Sequence, residues 1–416
     1  MPTDLQSSQA RPEVVVVGGG IVGLLTTFML RHRGVDVALV AGKDLTKAAS
    51  WGNAGYLAAG FGSPIPSAES ISQILKWMIS GESPVKVSAS FFFREILPGG
   101  WLAEYLRESR KTTSLEYALK MRESCFEGVR LLKKIIEEYN LQVDLRADGV
   151  LEVYLSRRNL EKHLKLLEQN RELKVDFRFL DREECLNDDP LLSPSIVGGI
   201  LFKDDLSLTP SKLMQSLRLL LSQRLNVPLI DEEVVKMNVD NRVVSSVSLS
   251  NGSSIAGRQY VVCAGVHTKR LLSTIGIEIP LAPAYGYMVM TEPVSERLRH
   301  ATAGGEFRVA MSQTGEGNLR ATGFFELSTA QHLPHDRRCS FLRQKATEYI
   351  PAFSKVSIVE TWHGARPCTP TGLPVVGWTK YNNLVVAAGH CRLGVTTAAA
   401  TAKLVSENLL SEKRPI

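Results

Sequence analysis

The stretch Val14-Val15-Val16-Val17-Gly18-Gly19-Gly20-Ile21-Val22-Gly23 decides the fold of this 416-residue chain. Four consecutive valines without polar alternation read as a strand covered on both faces, the habit of parallel sheets. Gly18, Gly20 and Gly23 then satisfy a Gly-x-Gly-x-x-Gly spacing. The first glycine permits a tight turn, the second lets backbone approach a pyrophosphate, and the third lets helix and strand pack closely. Residues 24–31 continue as a helix that Gly34 ends, and 35–40 form the next strand. A glycine pattern alone is weak. Set between strand, helix and second strand, it predicts a dinucleotide site.

One position departs from that pattern. The second strand of such a unit ordinarily ends in an acid that hydrogen-bonds the adenosine ribose. Here the position holds Ala41, followed by Gly42, Lys43 and Asp44. Either Asp44 or backbone groups replace the carboxylate, or Lys43 meets a phosphate as in NADP sites.

The length predicts two domains. With 44% hydrophobic and 22% charged residues the composition is that of a globular protein. A formal charge of +6 suits anionic substrates or loose contact with an anionic membrane face, and is too diffuse to predict nucleic-acid binding. Residues 1–11 are polar and read as a disordered tail, not a secretory signal. No apolar run reaches the roughly 20 residues that span a bilayer. Six cysteines, at 125, 185, 263, 339, 368 and 391, are scattered without a C-x-x-C pair. That distribution argues against a metal site and for a reducing compartment.

After the opening unit comes Ser50-Trp51-Gly52-Asn53-Ala54-Gly55-Tyr56, small residues around one indole, where backbone passes close to something flat or phosphorylated. Ile74-Leu75-Lys76-Trp77-Met78 and Trp101-Leu102-Ala103-Glu104-Tyr105-Leu106 read as short amphipathic helices flanking an aromatic loop over 88–93, packed on the second domain rather than touching lipid or serving as a lid. Ser114–Tyr139 reads as a long amphipathic helix. Strands are expected over 149–155, 198–202, 227–230, 281–290, 309–312 and 319–325. A three-strand meander is expected over 234–257 with a hairpin turn at Asn251-Gly252. Thr209-Pro210 caps a helix. Tyr260-Val261-Val262-Cys263-Ala264-Gly265 is a buried strand ending in small residues, returning to the same dinucleotide. No linker separates two halves, so the domains interleave.

The chemistry gathers in the C-terminal third. Residues 362–377 read as a rigid loop, 384–387 as a buried strand, and Gly389-His390-Cys391-Arg392-Leu393-Gly394 as a turn opening a helix over 396–410. A helix N-terminus there presents free N–H groups and partial positive charge, which suits the edge of a flavin that becomes negative on reduction. Arg366 and Arg392 stand at the mouths of these turns, and guanidinium matches a carboxylate bidentately. His390 reads as a buttress of the turn rather than a base, and Glu326 as a further acid near the pocket.

The chain resembles the FAD-dependent D-amino-acid dehydrogenase and glycine oxidase family. The resemblance is carried by Gly18-x-Gly20-x-x-Gly23, Asn53-Ala54-Gly55, residues 204–213 and 261–265, Tyr285-Gly286-Tyr287, residues 364–377, and 388–397. It implies an α/β fold: a Rossmann-like FAD-binding domain (12–66, 209–278 and 356–416) interleaved with an α+β substrate domain on a mixed, largely antiparallel sheet (67–208 and 279–355). It implies FAD held by Gly18, Gly20, Ile21, Val22, Gly23, Lys43, Ser50, Asn53, Ala54, Gly55, Val235, Ala264, Gly265, Arg366, Gly389, Leu393, Gly394, Val395 and Thr396, with Val235 at the adenine. The same resemblance makes Arg366 the grip on the substrate carboxylate and Arg392 its neighbour. No tyrosine stands near Phe307, where the oxidases place a substrate phenol, so Tyr285 or Tyr287 takes that role.

The implied activity is oxidation of an amino or imino acid at the Cα–N bond, with electrons passed to a quinone or dye-type acceptor. A D-amino-acid dehydrogenase is expected first. The alternatives are a dye-linked L-proline dehydrogenase, a glycine or D-amino-acid oxidase, and a non-catalytic flavoprotein subunit. No metal and no nucleic acid are expected. A cytoplasmic homo-oligomer, peripheral on the inner membrane face, with flavin unlinked rather than attached at Cys368 or Cys391, completes the expectation.

Overall fold

Val14–Val17 is buried along its whole length because strands flank it on both edges and helices or a meander cover both faces. It pairs in parallel with Val37–Val40 on one edge and Gln259–Val262 on the other, Val15 lying opposite Ala38 and Tyr260. The computed structural model describes residues 11–59, 83–109, 114–170, 172, 174–329 and 334–411. Its six-stranded sheet runs in the order Val375–Trp378, Leu384–Ala388, Gln259–Val262, Val14–Val17, Val37–Val40, Leu229–Ile230, and only the first of these is antiparallel to its neighbour. Val14 and Val16 face the helices Ile21–His32, Ser114–Tyr139, Pro210–Leu219 and Gly394–Leu410. Val15 and Val17 face a core shared with the meander Val234–Asp240 and Val243–Leu249 and with the helix His267–Ser273.

The second sheet has nine strands and is mostly antiparallel. Ile358–Cys368, Ala282–Pro293, Asn318–Leu327, Ala310–Gln313, Ala301–Gly304, Val150–Tyr154, Gly198–Phe202 and Phe177–Asp181 follow one another, and Val85–Val87 lies beside Asn318–Leu327. The helix His335–Tyr349 covers one face through Leu342, Ala346 and Tyr349, packed on Tyr287, Val289 and Phe324. Alternation then places Met288, Thr322, Gly364 and Arg366 on the other face.

Three local expectations change. Residues 88–93 are not a loop. Ser88 accepts a hydrogen bond from the Phe91 amide and caps the helix Ala89–Glu95, which buries Phe91 and leaves Phe93 exposed. The supposed loop 362–377 is largely strand, because Ile358–Cys368 finds its partner some eighty residues upstream in Ala282–Pro293. The segment 358–368 accordingly joins the nine-stranded sheet rather than the dinucleotide sheet. The helix expected around Ile74 lies outside the described residues.

Candidate cofactor and substrate site

At the glycine turn, two glycines serve packing and one is left open. A Cβ on Gly18, whose φ is +120°, would lie 2.4 Å from the Cys263 carbonyl oxygen, and one on Gly23 would lie 1.8 Å from the Gly18 carbonyl oxygen. Gly20, the N-cap residue of Ile21–His32, faces open space, its nearest neighbour being the Ser50 hydroxyl at 3.8 Å. The Ile21 amide donates to Ser50 Oγ at 3.2 Å, and no acid stands in the helix's first turn. Gly265, at φ +57°, likewise meets nothing within 4 Å and follows the half-buried Ala264. Such an open, amide-lined helix start fits a pyrophosphate. Ile21 is buried below it and Val22 half-buried beside it.

Where the ribose acid is missing, another carboxylate stands. Ala41 is buried against Gly19, while a Cβ on Gly42 would lie 3.6 Å from Glu233 Oε1. Glu233 lies 3.7 Å from Lys47 Nζ and precedes the exposed Val235 by two residues. Lys43 points to solvent. Glu233 escaped the sequence reading because it arrives from the meander, almost two hundred residues away.

The loop after the second strand is clamped to the larger sheet. Asn53 Oδ1 accepts from the Gly55 amide at 2.8 Å, and Gly55, at φ +83°, packs so tightly that a Cβ would lie 2.1 Å from the Leu208 carbonyl oxygen. The Trp362 indole fills the space beside Gly52 and donates to the Thr46 carbonyl at 2.6 Å. Trp51 donates to Glu360 at 3.3 Å, and buried Arg320 donates to the Trp51 carbonyl at 2.6 Å. Ala54 accepts from Ser312 at 3.4 Å. Opposite this loop, Gly389 (φ +93°) and Leu393 lead into Gly394–Leu410, whose first turn also lacks an acid. Thr396, buried with Val395, donates to the Tyr56 carbonyl and accepts from the Ala58 amide, both at 3.2 Å. His390 is buried, contacts Thr401 Oγ1 at 2.9 Å, and burial pushes its pKa down to about 4. It is neutral at physiological pH.

Arg366 and Arg392 converge. Arg366 pairs in register with Ala284, and its Nη1 donates to the Phe324 carbonyl at 2.9 Å. Burial pushes both guanidinium groups down to about 10, and for Arg392 the charges of Arg308 and Arg366 add to the effect. Cationic neighbours at a desolvated site favour an anionic ligand. A disulfide joins Cys368, two residues after Arg366, to Cys391, the residue before Arg392. This departs from the reduced state expected of scattered cysteines. The two are 23 positions apart and meet only because the strand end and the turn fold together, as the Cys368–His390 bridge also records. With both sulfurs paired, neither is available to carry a flavin.

The sheet does not bring the two tyrosines to these arginines. Tyr287 lies on the face of His363 and the helix His335–Tyr349, opposite Arg366. Its hydroxyl donates to Glu326 Oε2 at 3.0 Å, and Arg338 binds both Glu326 oxygens at 3.0 Å. Burial and the Glu326 charge raise that phenol's pKa. Tyr285, on the same face, lines a cleft of about 630 Å³ with Val266, Lys269 and Ala365. Glu326 is thus committed to an ion pair behind the sheet. Among the described residues no cluster of potential metal ligands occurs.

A dinucleotide cradle facing an antiparallel sheet that presents half-buried arginines defines a flavin-type oxidoreductase. The chain belongs to the DAO family of FAD dependent oxidoreductases, whose family model matches residues 13–408. It is 28% identical to the D-amino acid dehydrogenase of Vibrio cholerae serotype O1, over 97% of this chain and 96% of that protein. It is 27% identical to the D-amino acid dehydrogenase of Rhodopseudomonas palustris, over 96% of this chain and 94% of the other. Its fold is that of glycine oxidase from Geobacillus kaustophilus, with a TM-score of 0.74 at 19% identity over 96% and 95% of the two chains. L-proline dehydrogenase from P. horikoshii shares it, with a TM-score of 0.68 at 19% identity over 96% and 93%.

Proposed function

We propose that the protein is a dehydrogenase of amino or imino acids, D-amino acids first, that oxidises the Cα–N bond and hands electrons to a quinone or dye-type acceptor. The observation that carries this reading is the pair of half-buried, desolvated arginines on two segments that a disulfide joins, on the side of the sheet that packs against the loop after the second strand. Bound FAD supplies two-electron acceptance from the Cα–H bond. Arg366, anchored on the Phe324 carbonyl, binds the substrate carboxylate, and Arg392 completes the clamp from the turn. Fixing the carboxylate at two points orients the alpha carbon, and the surrounding burial excludes water. His390, neutral and hydrogen-bonded, holds the turn.

In this reading the amides around Gly20 and Gly265 would receive the pyrophosphate, Glu233 would take the ribose hydroxyls in place of an acid at 41, and Val235 would border the adenine. The acid-free start of Gly394–Leu410 would stabilise the charge that a flavin gains on reduction. No helix among the described residues is long and apolar enough to cross a membrane. Exposed Phe93 and Leu97, beside Arg94, supply a surface for peripheral contact with an anionic bilayer.

The test is anaerobic bleaching of the purified, flavin-loaded protein by a panel of D- and L-amino acids including both prolines. Bleaching by D-amino acids, with fast turnover on a quinone or dye and slow turnover on oxygen, supports the reading. Bleaching by L-proline alone replaces it with a proline dehydrogenase. A flavin that no member of the panel bleaches removes the amino-acid reading altogether.

A further inference from the structure

We propose that Cys368–Cys391 is a reversible thiol–disulfide exchange site whose state sets the grip on the substrate carboxylate, with a small or protein dithiol as its reductant. The inference rests on reading Arg366 and Arg392 as the carboxylate clamp.

The bond is the covalent tie between the two segments that carry the arginines. Cys368 ends the strand Ile358–Cys368, and Cys391 begins the short turn Cys391–Leu393. The two sides are unequally held. Cys368 is 1% exposed, its carbonyl accepts from the Trp101 indole at 2.8 Å, and Phe91, Trp101 and Tyr105 pack around it. Cys391 is half-buried and has φ +49°, a left-handed backbone conformation that a β-carbon disfavours and that persists only where its surroundings impose it. The more accessible residue of the pair therefore has the less comfortable backbone.

Exchange follows from that asymmetry. A thiolate of the dithiol attacks Cys391 Sγ, and Cys368 leaves as a thiolate that takes up a proton. The second thiol of the reductant then closes its own disulfide and releases Cys391 as a thiol. One S–S bond breaks in the protein and one forms in the reductant, so two electrons and two protons reach the cysteines. Cys368 stays under Trp101, and Arg366 keeps its bond to Phe324. Cys391 relaxes, and Arg392 moves with it. The other four cysteines do not compete: all are buried, with thiol pKa values pushed up to about 12 (Cys125, Cys185, Cys263) or about 11 (Cys339).

The experiment uses the full-length holoenzyme before and after dithiothreitol. Alkylation after denaturation is expected to label four of the six cysteines before reduction and all six after it. Hydrogen exchange is expected to quicken in peptides covering 389–394 by a larger factor than across the strand Val14–Val17, which reports only the global loss of stability. KM for the amino acid is expected to rise about tenfold, the loss of one good contact, with kcat held. Cys391→Ser, and independently Cys368→Ala, are expected to match the reduced enzyme and to ignore dithiothreitol. Six labelled cysteines before reduction, or unchanged exchange over 389–394, overturns the proposal, as does an unchanged KM. Should no amino acid bleach the flavin, the functional reading fails on its own, while thiol counting and hydrogen exchange still decide the switch.

Discussion

The guanidinium of Arg366 occupies the space that a side chain at position 286 would need: a Cβ on Gly286 would lie 2.3 Å from Arg366 Nη2. The contact is with the far end of a flexible side chain, so Gly286→Ala is expected to fold and to bind flavin while displacing the guanidinium. KM should rise by about tenfold or more, with the FAD spectrum intact. Arg366→Ala removes the charged partner itself and should cost about 2–5 kcal/mol in kcat/KM. Steady-state kinetics of the two variants, compared at equal flavin content, check both.

Glu233→Gln keeps size and removes charge. If its carboxylate serves the ribose, FAD affinity of the apoprotein should fall by about tenfold, roughly one charged hydrogen bond. Reconstitution followed by flavin fluorescence reads this directly. An unchanged affinity would return the ribose to Asp44 or to backbone groups.

Tyr287→Phe tests the placement of the phenol behind the sheet. Its hydroxyl meets Glu326, which Arg338 holds from the other side. Stability should drop by about 1–2 kcal/mol, with KM and kcat close to those of the parent. A large kinetic loss with no change in denaturation midpoint would place the ring in the active site after all.

Acid should weaken the fold through His390. Its pKa lies at about 4 in the folded protein against an ordinary 6.5, so between those values the unfolded chain binds a proton that the folded one refuses. Stability from this group is complete above about pH 6.5 and declines as the pH falls toward 4, by an amount on the order of 3 kcal/mol. Urea midpoints at pH 7.5 and 5 should differ accordingly, and His390→Gln should flatten the difference.

Loss of the Cys368–Cys391 bond should also lower global stability. A bond closing a 23-residue separation contributes about 3 kcal/mol in the chain-entropy account. Denaturant titration with and without reductant measures it.

The legible parts of this chain were those whose partners are local. Val14–Val17 with its glycine turn, the long helix Ser114–Tyr139 and the proline-led helix Pro210–Leu219 all show their structure in their own sequence. The capping box of Asp181 and Glu184, which starts Arg182–Asp188, was equally local and went unread because its helix is only two turns long. What stayed hidden depends on distant residues. The strand nature of 362–368 needs the edge of Ala282–Pro293, and the side on which Tyr287 falls needs the register Tyr287–His363. The carboxylate near Gly42 and the sulfur bridge beside the arginines are likewise meetings of segments that composition cannot bring together.

The strand order of the six-stranded sheet has a biosynthetic consequence. Val14–Val17 leaves the ribosome some 245 residues ahead of its neighbour Gln259–Val262, and Leu384–Ala388, which closes the floor beside that strand, follows later still. Contacts so distant along the chain form slowly and late. A nascent chain halted before residue 384 therefore has its glycine turn already made but lacks a strand of the sheet that lies beneath it.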